Sequence, residues 1–405
     1  MELKPISILA GAIICALLVA GCTTQTTQAP PATRDTVIVT YTKGTGPMPT
    51  LLGTEQIDGY IAWQPFVEVA PLANIGRVLV YSGDMPPEGR WKNHPCCVFT
   101  ATSDAIAGSP GLTNALTAAL VLSTQYIGEH PDEGAEIVAD WLAGKGNFTY
   151  GNISVSSVEV LKRAFPTVKF VNEPTPSWKK SNLEFVYAQR ELGVLTGALA
   201  NSTDEETLGI LVDSSPYDAA AAMIREGRIA TPAPEKDPVG IGYLMSDHHA
   251  ALFVAIKKWE YFNETYGISI RPRDTTASRP DVADLVVNGQ KVAELRLIPG
   301  DAGPQLMQLM STGNIRYALV GNPPAIAAAD KGTPVKIIMA LNGEGSGIVV
   351  NDDSPARDWA GFVTWAKERS AAGKPVKIAA PGKGSIQDVL LRYSLDASGL
   401  SVREG

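Results

Sequence analysis

The sequence predicts an α/β protein of two lobes, and three observations carry that prediction. Short β-rich runs alternate with amphipathic stretches at the front of the chain, a block of helical patterns follows, and the alternation restarts after a Pro-rich stretch at 231–238. Alternation of this kind implies parallel sheets with helices on both faces. Two such layers with a helical block between them imply two lobes, not one continuous sheet.

Taken in order, strands are expected at 36–41, 57–63, 77–82 and 96–102, with helices at 48–56 and 65–74. The helical block reads as 113–127, 131–142, 156–164 and 181–195, with Pro131 near the first-helical-position slot of its helix. After the Pro-rich stretch, 239–244 is a strand and 250–266 a long amphipathic helix stopped by Gly267. Strands at 292–298, 315–321, 335–341, 347–351 and 376–380 then alternate with helices at 305–311, 325–330, 359–371 and 385–397. No strand is expected after Gly399-Leu400, so this last unit lacks its next parallel strand, which 36–41 could supply.

Composition narrows the class. Of 405 residues 45% are hydrophobic, as in a folded soluble protein, and the net charge of −8 argues against nucleic acid and anionic lipid surfaces as partners. At the front, Lys4 and the apolar run 6–20 have the form of a signal peptide, too short for a confident spanning helix. The run closes on small residues before Cys22, which resembles a lipobox, so residues 1–21 are expected to be removed and Cys22 lipidated. The stretch 22–35 is rich in Thr, Gln, Pro and Ala, lacks a hydrophobic period and reads as a disordered tether. Cys96 and Cys97 remain as the thiols of the folded part. Sequence neighbours build no disulfide framework, and with His94 they offer too few ligands for an evident metal site. Buried free thiols are the favoured reading, and no metal or cofactor is expected.

Several runs in consistent order resemble substrate-binding proteins of the nitrate/sulfonate/taurine transporter family. Residues 241–250 (IGYLMSDHHA), 320–325 (VGNPPA), 330–335 (DKGTPV), 343–346 (GEGS) and 381–388 (PGKGSIQD) resemble the first half of those proteins. Residues 56–66 (QIDGYIAWQPF) and 93–98 (NHPCCV) resemble the second half. The resemblance implies a two-lobed periplasmic-binding-protein type II fold, the Venus-flytrap architecture. Because the second half comes first, a circular permutation is the simplest account. Lobe II would then comprise 36–103 and 352–405, and lobe I the helical part 104–230 and the sheet part 239–351. The stretch 231–238 would link them, with hinge crossings near 100–104 and 351–355.

Ligand would bind between the lobes, outside the carboxyl ends of the strands. In 382–388, glycine allows close backbone approach, Ser385 can cap the helix whose free N–H groups face an anion, and Lys383 adds positive charge. Gly384 and Gln387 belong to the same turn. Ser246, His248 and His249 hold the equivalent turn of lobe I, and Asn322 follows a strand with its amide pointing out of the strand end. Ser346 could donate to an anion, whereas Glu344 would repel one unless the ligand carries a cation. Trp63 and Gln64 end a lobe II strand and could wall the cleft, and His94 is placed near the hinge beside the thiols.

The implied function is a monomeric, lipid-anchored binding protein on the outer membrane face. It would deliver a small anionic or zwitterionic organic solute to the permease of an ABC importer. An enzyme is the alternative, since the fold also resembles menaquinone-pathway lyases and thiamine-pyrimidine synthases, though no nucleophile elbow, zinc signature or Walker loop is present. An extracytoplasmic sensor using the same clamp is a third possibility.

Overall fold

The computed structural model describes residues 35–144 and 146–405; the expected signal peptide, Cys22 and the tether lie outside the described residues. Among the described residues no helix is long and apolar enough to cross a membrane.

Two sheets organise the chain. One has six strands in the order Ser401–Glu404, Thr36–Tyr41, Lys377–Ala380, Gly59–Trp63, Ser346–Asn351, Gly76–Tyr81. The other has seven, in the order Val335–Ala340, Cys97–Thr102, Tyr317–Gly321, Val239–Leu244, Gln290–Gly300, Val282–Val287, Ile268–Pro272. The strands nearest the centre are parallel and continuously apolar, as sheets covered on both faces require. Val239–Leu244 is buried along its whole length. Its Gly240 and Gly242 let the loop at Asn314-Ile315 approach so closely that added Cβ atoms would lie 2.8 Å from the Asn314 carbonyl and 2.7 Å from Ile315 Cδ1.

In each sheet the strand by which the chain enters that lobe, Cys97–Thr102 in the seven-stranded sheet and Ser346–Asn351 in the six-stranded one, lies second from an edge and runs antiparallel to both its neighbours. This moves both expected crossings. Cys97–Thr102 pairs within the seven-stranded sheet, so the chain changes lobes before 97, not at 100–104. Ser346–Asn351 pairs with Gly59–Trp63 and Gly76–Tyr81, so the second change comes before 346, not at 351–355. The two crossings lie side by side. Pro95 bridges Gly343, Cys96 N–H donates to the Asn342 carbonyl at 3.0 Å, and Glu344 N–H donates to the His94 carbonyl at 3.1 Å.

Other differences follow from short or polar elements. Ser401–Glu404 is a strand after all, parallel to Thr36–Tyr41, which lies between it and Lys377–Ala380. The strands Ile268–Pro272 and Val282–Val287 add an antiparallel flank to lobe I. Asp204–Leu211 and Ser215–Arg225 are helices, and Asn147–Tyr150 with Ile153–Ser156 is a hairpin. The expected 181–195 helix runs Pro176–Glu191, because Pro176 takes the first turn and Thr175 accepts from Trp178 N–H as the cap. The helix Pro110–Glu129 is buried over most of its length, running through the core of lobe I.

Candidate ligand-binding cleft

Six side chains expected at the ligand site line one narrow space. Trp63, Ser385 and Gln387 come from the six-stranded lobe, and Ser246, His248 and His249 from the seven-stranded lobe. Leu244, Cys97, Gly303, Gly321, Pro324 and Ile386 complete the wall. The space amounts to about 20 Å³, room for a single water. The lobes are closed on each other. Ser246 Oγ donates to the Gln64 carbonyl across the cleft at 2.9 Å, and Ile386 seats so near Gly321 that a Cβ there would lie 3.1 Å from its side chain.

On the lobe I side, the chain leaves Val239–Leu244 into a tight turn. Ser246 caps it by accepting from His248 N–H at 3.2 Å. His249 Nδ1 accepts from Leu244 N–H at 2.8 Å, which places the ring proton on Nε2 in the neutral tautomer. That Nε2 is buried without a partner. His248 Nε2 donates to the Gly345 carbonyl at 2.8 Å, and the same oxygen accepts from Gln64 N–H at 2.9 Å. His248 Nδ1 therefore faces the thiols, 3.2 Å from Cys96 Sγ and 3.7 Å from Cys97 Sγ. Both cysteines are free and buried.

Charge in this corner is set by burial and by the neighbouring groups. Burial pushes the Asp247 carboxyl up to about 7, and its Oδ2 is unpartnered. Burial also pushes the Cys96 thiol up, reinforced by Cys97. For Cys97 the same burial is outweighed by the neighbouring Cys96, His248 and His249, and the net shift is downward. His248 is desolvated too, yet its contact with Cys97 raises it overall.

On the lobe II side, Trp63 lines the same space, and its Nε1 is buried without a partner. Gln387 Nε2 donates to Ser346 Oγ at 2.8 Å, so Ser346 stands just behind Gln387. Ser385 caps Ile386–Ala397 by accepting from Asp388 N–H at 3.2 Å. Asp388 is also the anion at this helix terminus. Its Oδ2 accepts from Gly384 N–H at 2.8 Å, and its Oδ1 from Tyr41 Oη at 2.6 Å and Arg392 Nε at 2.8 Å.

The remaining expected residues stand elsewhere. Lys383 turns to Glu404 at 2.6 Å and, with Gly384, lines a separate outer groove of about 690 Å³. Glu344 leaves the cleft because its backbone is left-handed, φ 55°; its carboxylate accepts from Asn93 N–H and pairs with Lys169 at 2.8 Å. His94 bonds Ser82 Oγ and the Pro95 carbonyl, and burial lowers its pKa to about 4, leaving a neutral ring away from the thiols. The Gln64 side chain donates to Glu68 and Thr167 and contributes only its carbonyl to the cleft edge. Asn322 is fully buried with neither amide atom partnered, and Gly321 and Pro324 on either side of it border the space.

Missing from the expected constellation was the meeting of Cys96 and Cys97 with His248. Both motifs were visible as residue types, but 151 residues separate Cys97 from His248 and only the fold joins them.

Comparison with known proteins agrees with this architecture. No solved structure matches the chain. An uncharacterised protein of Methanocaldococcus jannaschii is 33% identical over 126 residues, covering 31% of this chain and 84% of that protein. The model of the NMT1-like family matches residues 29–143 and 232–404, both βα layers, well over half of the length. The chain belongs to the NMT1-like family.

Proposed function

We propose that the protein is an extracytoplasmic binding protein, not an enzyme. It captures a small anionic or zwitterionic organic solute between its lobes and hands it to the permease of an ABC importer. One observation carries the reading. Trp63 and His249, from opposite lobes, line the same narrow space, and each carries a buried N–H donor, Nε1 and Nε2, that lacks a partner. Buried donors without acceptors are costly, and a solute rich in oxygen acceptors supplies what they lack. The donor set replaces the helix terminus as the basis for anion capture, since Asp388 takes that place.

The membrane anchor at Cys22, the monomeric state and the permuted order belong to the same proposal. The permuted order is supported by Thr36–Tyr41 lying parallel beside Lys377–Ala380, the neighbour it would have if the two ends of the domain were exchanged.

Thermal shift against taurine, other sulfonates, nitrate, bicarbonate, carboxylates and pyrimidine precursors tests the reading, because ligand that binds only the native state raises the melting temperature. Trp63→Phe and His249→Asn each remove one donor, the latter keeping an acceptor for Leu244 N–H. Each should weaken the best ligand about tenfold or more by calorimetry, the worth of a hydrogen bond to a charged group. Stabilisation by cationic solutes alone, or chemical turnover of the bound solute, would overturn the proposal.

A further inference from the structure

The thiol–imidazole corner has the form of a metal site. Cys96 Sγ, Cys97 Sγ and one ring nitrogen of His248 lie within 4.8 Å of one another, and all three residues are buried. The separations of 3.2 and 3.7 Å from His248 Nδ1 to the two sulfurs bracket the edge of a zinc tetrahedron, about 3.5 Å for Zn–S and Zn–N bonds of ordinary length. The other ring nitrogen is held by the Gly345 carbonyl, the kind of outer contact that fixes the tautomer and aim of a metal-binding imidazole. Cys97 and His248 also border the narrow space between the lobes, which has the volume of one water or one ion and not of an organic solute.

The alternative is a pair of inert thiols hydrogen-bonded to a histidine. It accounts for Cys96 at Nδ1 and for Cys97 beside it, and differs from a metal site in predicting no thiolate-to-metal band.

We propose that Cys96, Cys97 and His248 bind a thiophilic divalent transition-metal ion such as Zn²⁺, leaving a fourth coordination position open to the cleft. Two thiolates neutralise the dication, so the buried site carries no net charge, and binding releases the two thiol protons to solvent. Hard cations such as Ca²⁺ and Mg²⁺ prefer oxygen and are excluded by this donor set. The ligands sit where the lobes join. Cys96 ends one crossing, Gly345 belongs to the other, and His248 comes from the lobe I turn. The inference is independent of which solute the cleft takes, because it concerns the ion alone.

Cobalt titration of the full chain tests it, with the protein reduced, stripped with chelator and held in detergent. One equivalent of Co²⁺ should give a thiolate-to-cobalt charge-transfer band in the near ultraviolet with tetrahedral d–d bands in the visible. Zn²⁺ should erase both, while excess Mg²⁺ or Ca²⁺ should not. Cys96→Ser and Cys97→Ser should each weaken binding more than tenfold and lower the charge-transfer intensity. His248→Gln should cost at least tenfold while leaving the thiolate band in place at high cobalt. Absence of the band in the reduced wild-type protein, or its survival in the double serine variant, would refute the site. The wild-type spectrum is decisive even where a variant folds poorly.

Discussion

Lys383 and Ser385 are two residues apart, yet their surroundings predict opposite outcomes. The Lys383 ammonium is exposed and paired with Glu404 outside the cleft, so Lys383→Ala should leave solute affinity within about twofold. Ser385 caps a helix whose first turn walls the cleft, and Ser385→Ala should cost about 1 kcal/mol in urea unfolding. The pair shows what a motif conceals. In sequence, Lys383 beside a glycine-flanked turn reads as a charge aimed at ligand, because its partner is 21 residues away in a strand too short and polar to be recognised. Glu344 was legible as a misfit for an anion site, but its left-handed backbone, which swings the carboxylate to Lys169, was not. The sequence marks the histidines of the Ser246 turn as candidate ligand residues but does not show how deep they lie. Burial places them inside the molecule, and their hydrogen bonds separate a positioned His248 from an unpartnered His249 Nε2.

Among elements, the crossings carry the most stringent requirements. Gly345 has φ +75°, and an added Cβ would run into His248 Nε2 and approach Val168 Cγ2 at 2.8 Å. Gly345→Ala therefore combines a left-handed cost of about 1–2 kcal/mol with displacement of the histidine. Unfolding by urea should show a loss of at least 2 kcal/mol, with solute affinity falling in parallel. Strand identity was legible here and strand partnership was not. Ser346–Asn351 and Cys97–Thr102 are apolar runs that any strand reading finds, but periodicity does not say which sheet they join. Both join the sheet that follows them in the chain, which is why the crossings moved towards the front. The strands Ile268–Pro272 and Val282–Val287 escaped notice because they pair locally with the flank of lobe I and fall between stronger signals.

At the scale of the whole molecule, the closed cleft implies a balance between two arrangements. Admitting an organic solute requires the lobes to part, since about 20 Å³ is far below the several hundred Å³ of an ordinary ligand pocket. The Ser246–Gln64 bond crosses that opening. Removing it with Ser246→Ala withdraws about 1 kcal/mol from the closed form and shifts the ligand-free population towards the open one. Spin labels on exposed positions of the two lobes should report a larger share of long distances in that variant, with the short-distance population restored by saturating solute. An unchanged distance distribution would show that packing such as Ile386 against Gly321, and not the hydrogen bond, sets the balance.

The edge of the six-stranded sheet has a mechanical consequence. Thr36–Tyr41 and Ser401–Glu404 run parallel, with Thr36 opposite Ser401 and Val39 opposite Glu404. Tension applied between residue 35 and residue 405 therefore pulls these two strands lengthwise past each other. Their shared hydrogen bonds are loaded together in shear, not unzipped one at a time. The load enters and leaves through one jaw, so the lobe bearing His248 and His249 carries none of it directly and stays free to swing while the other is held.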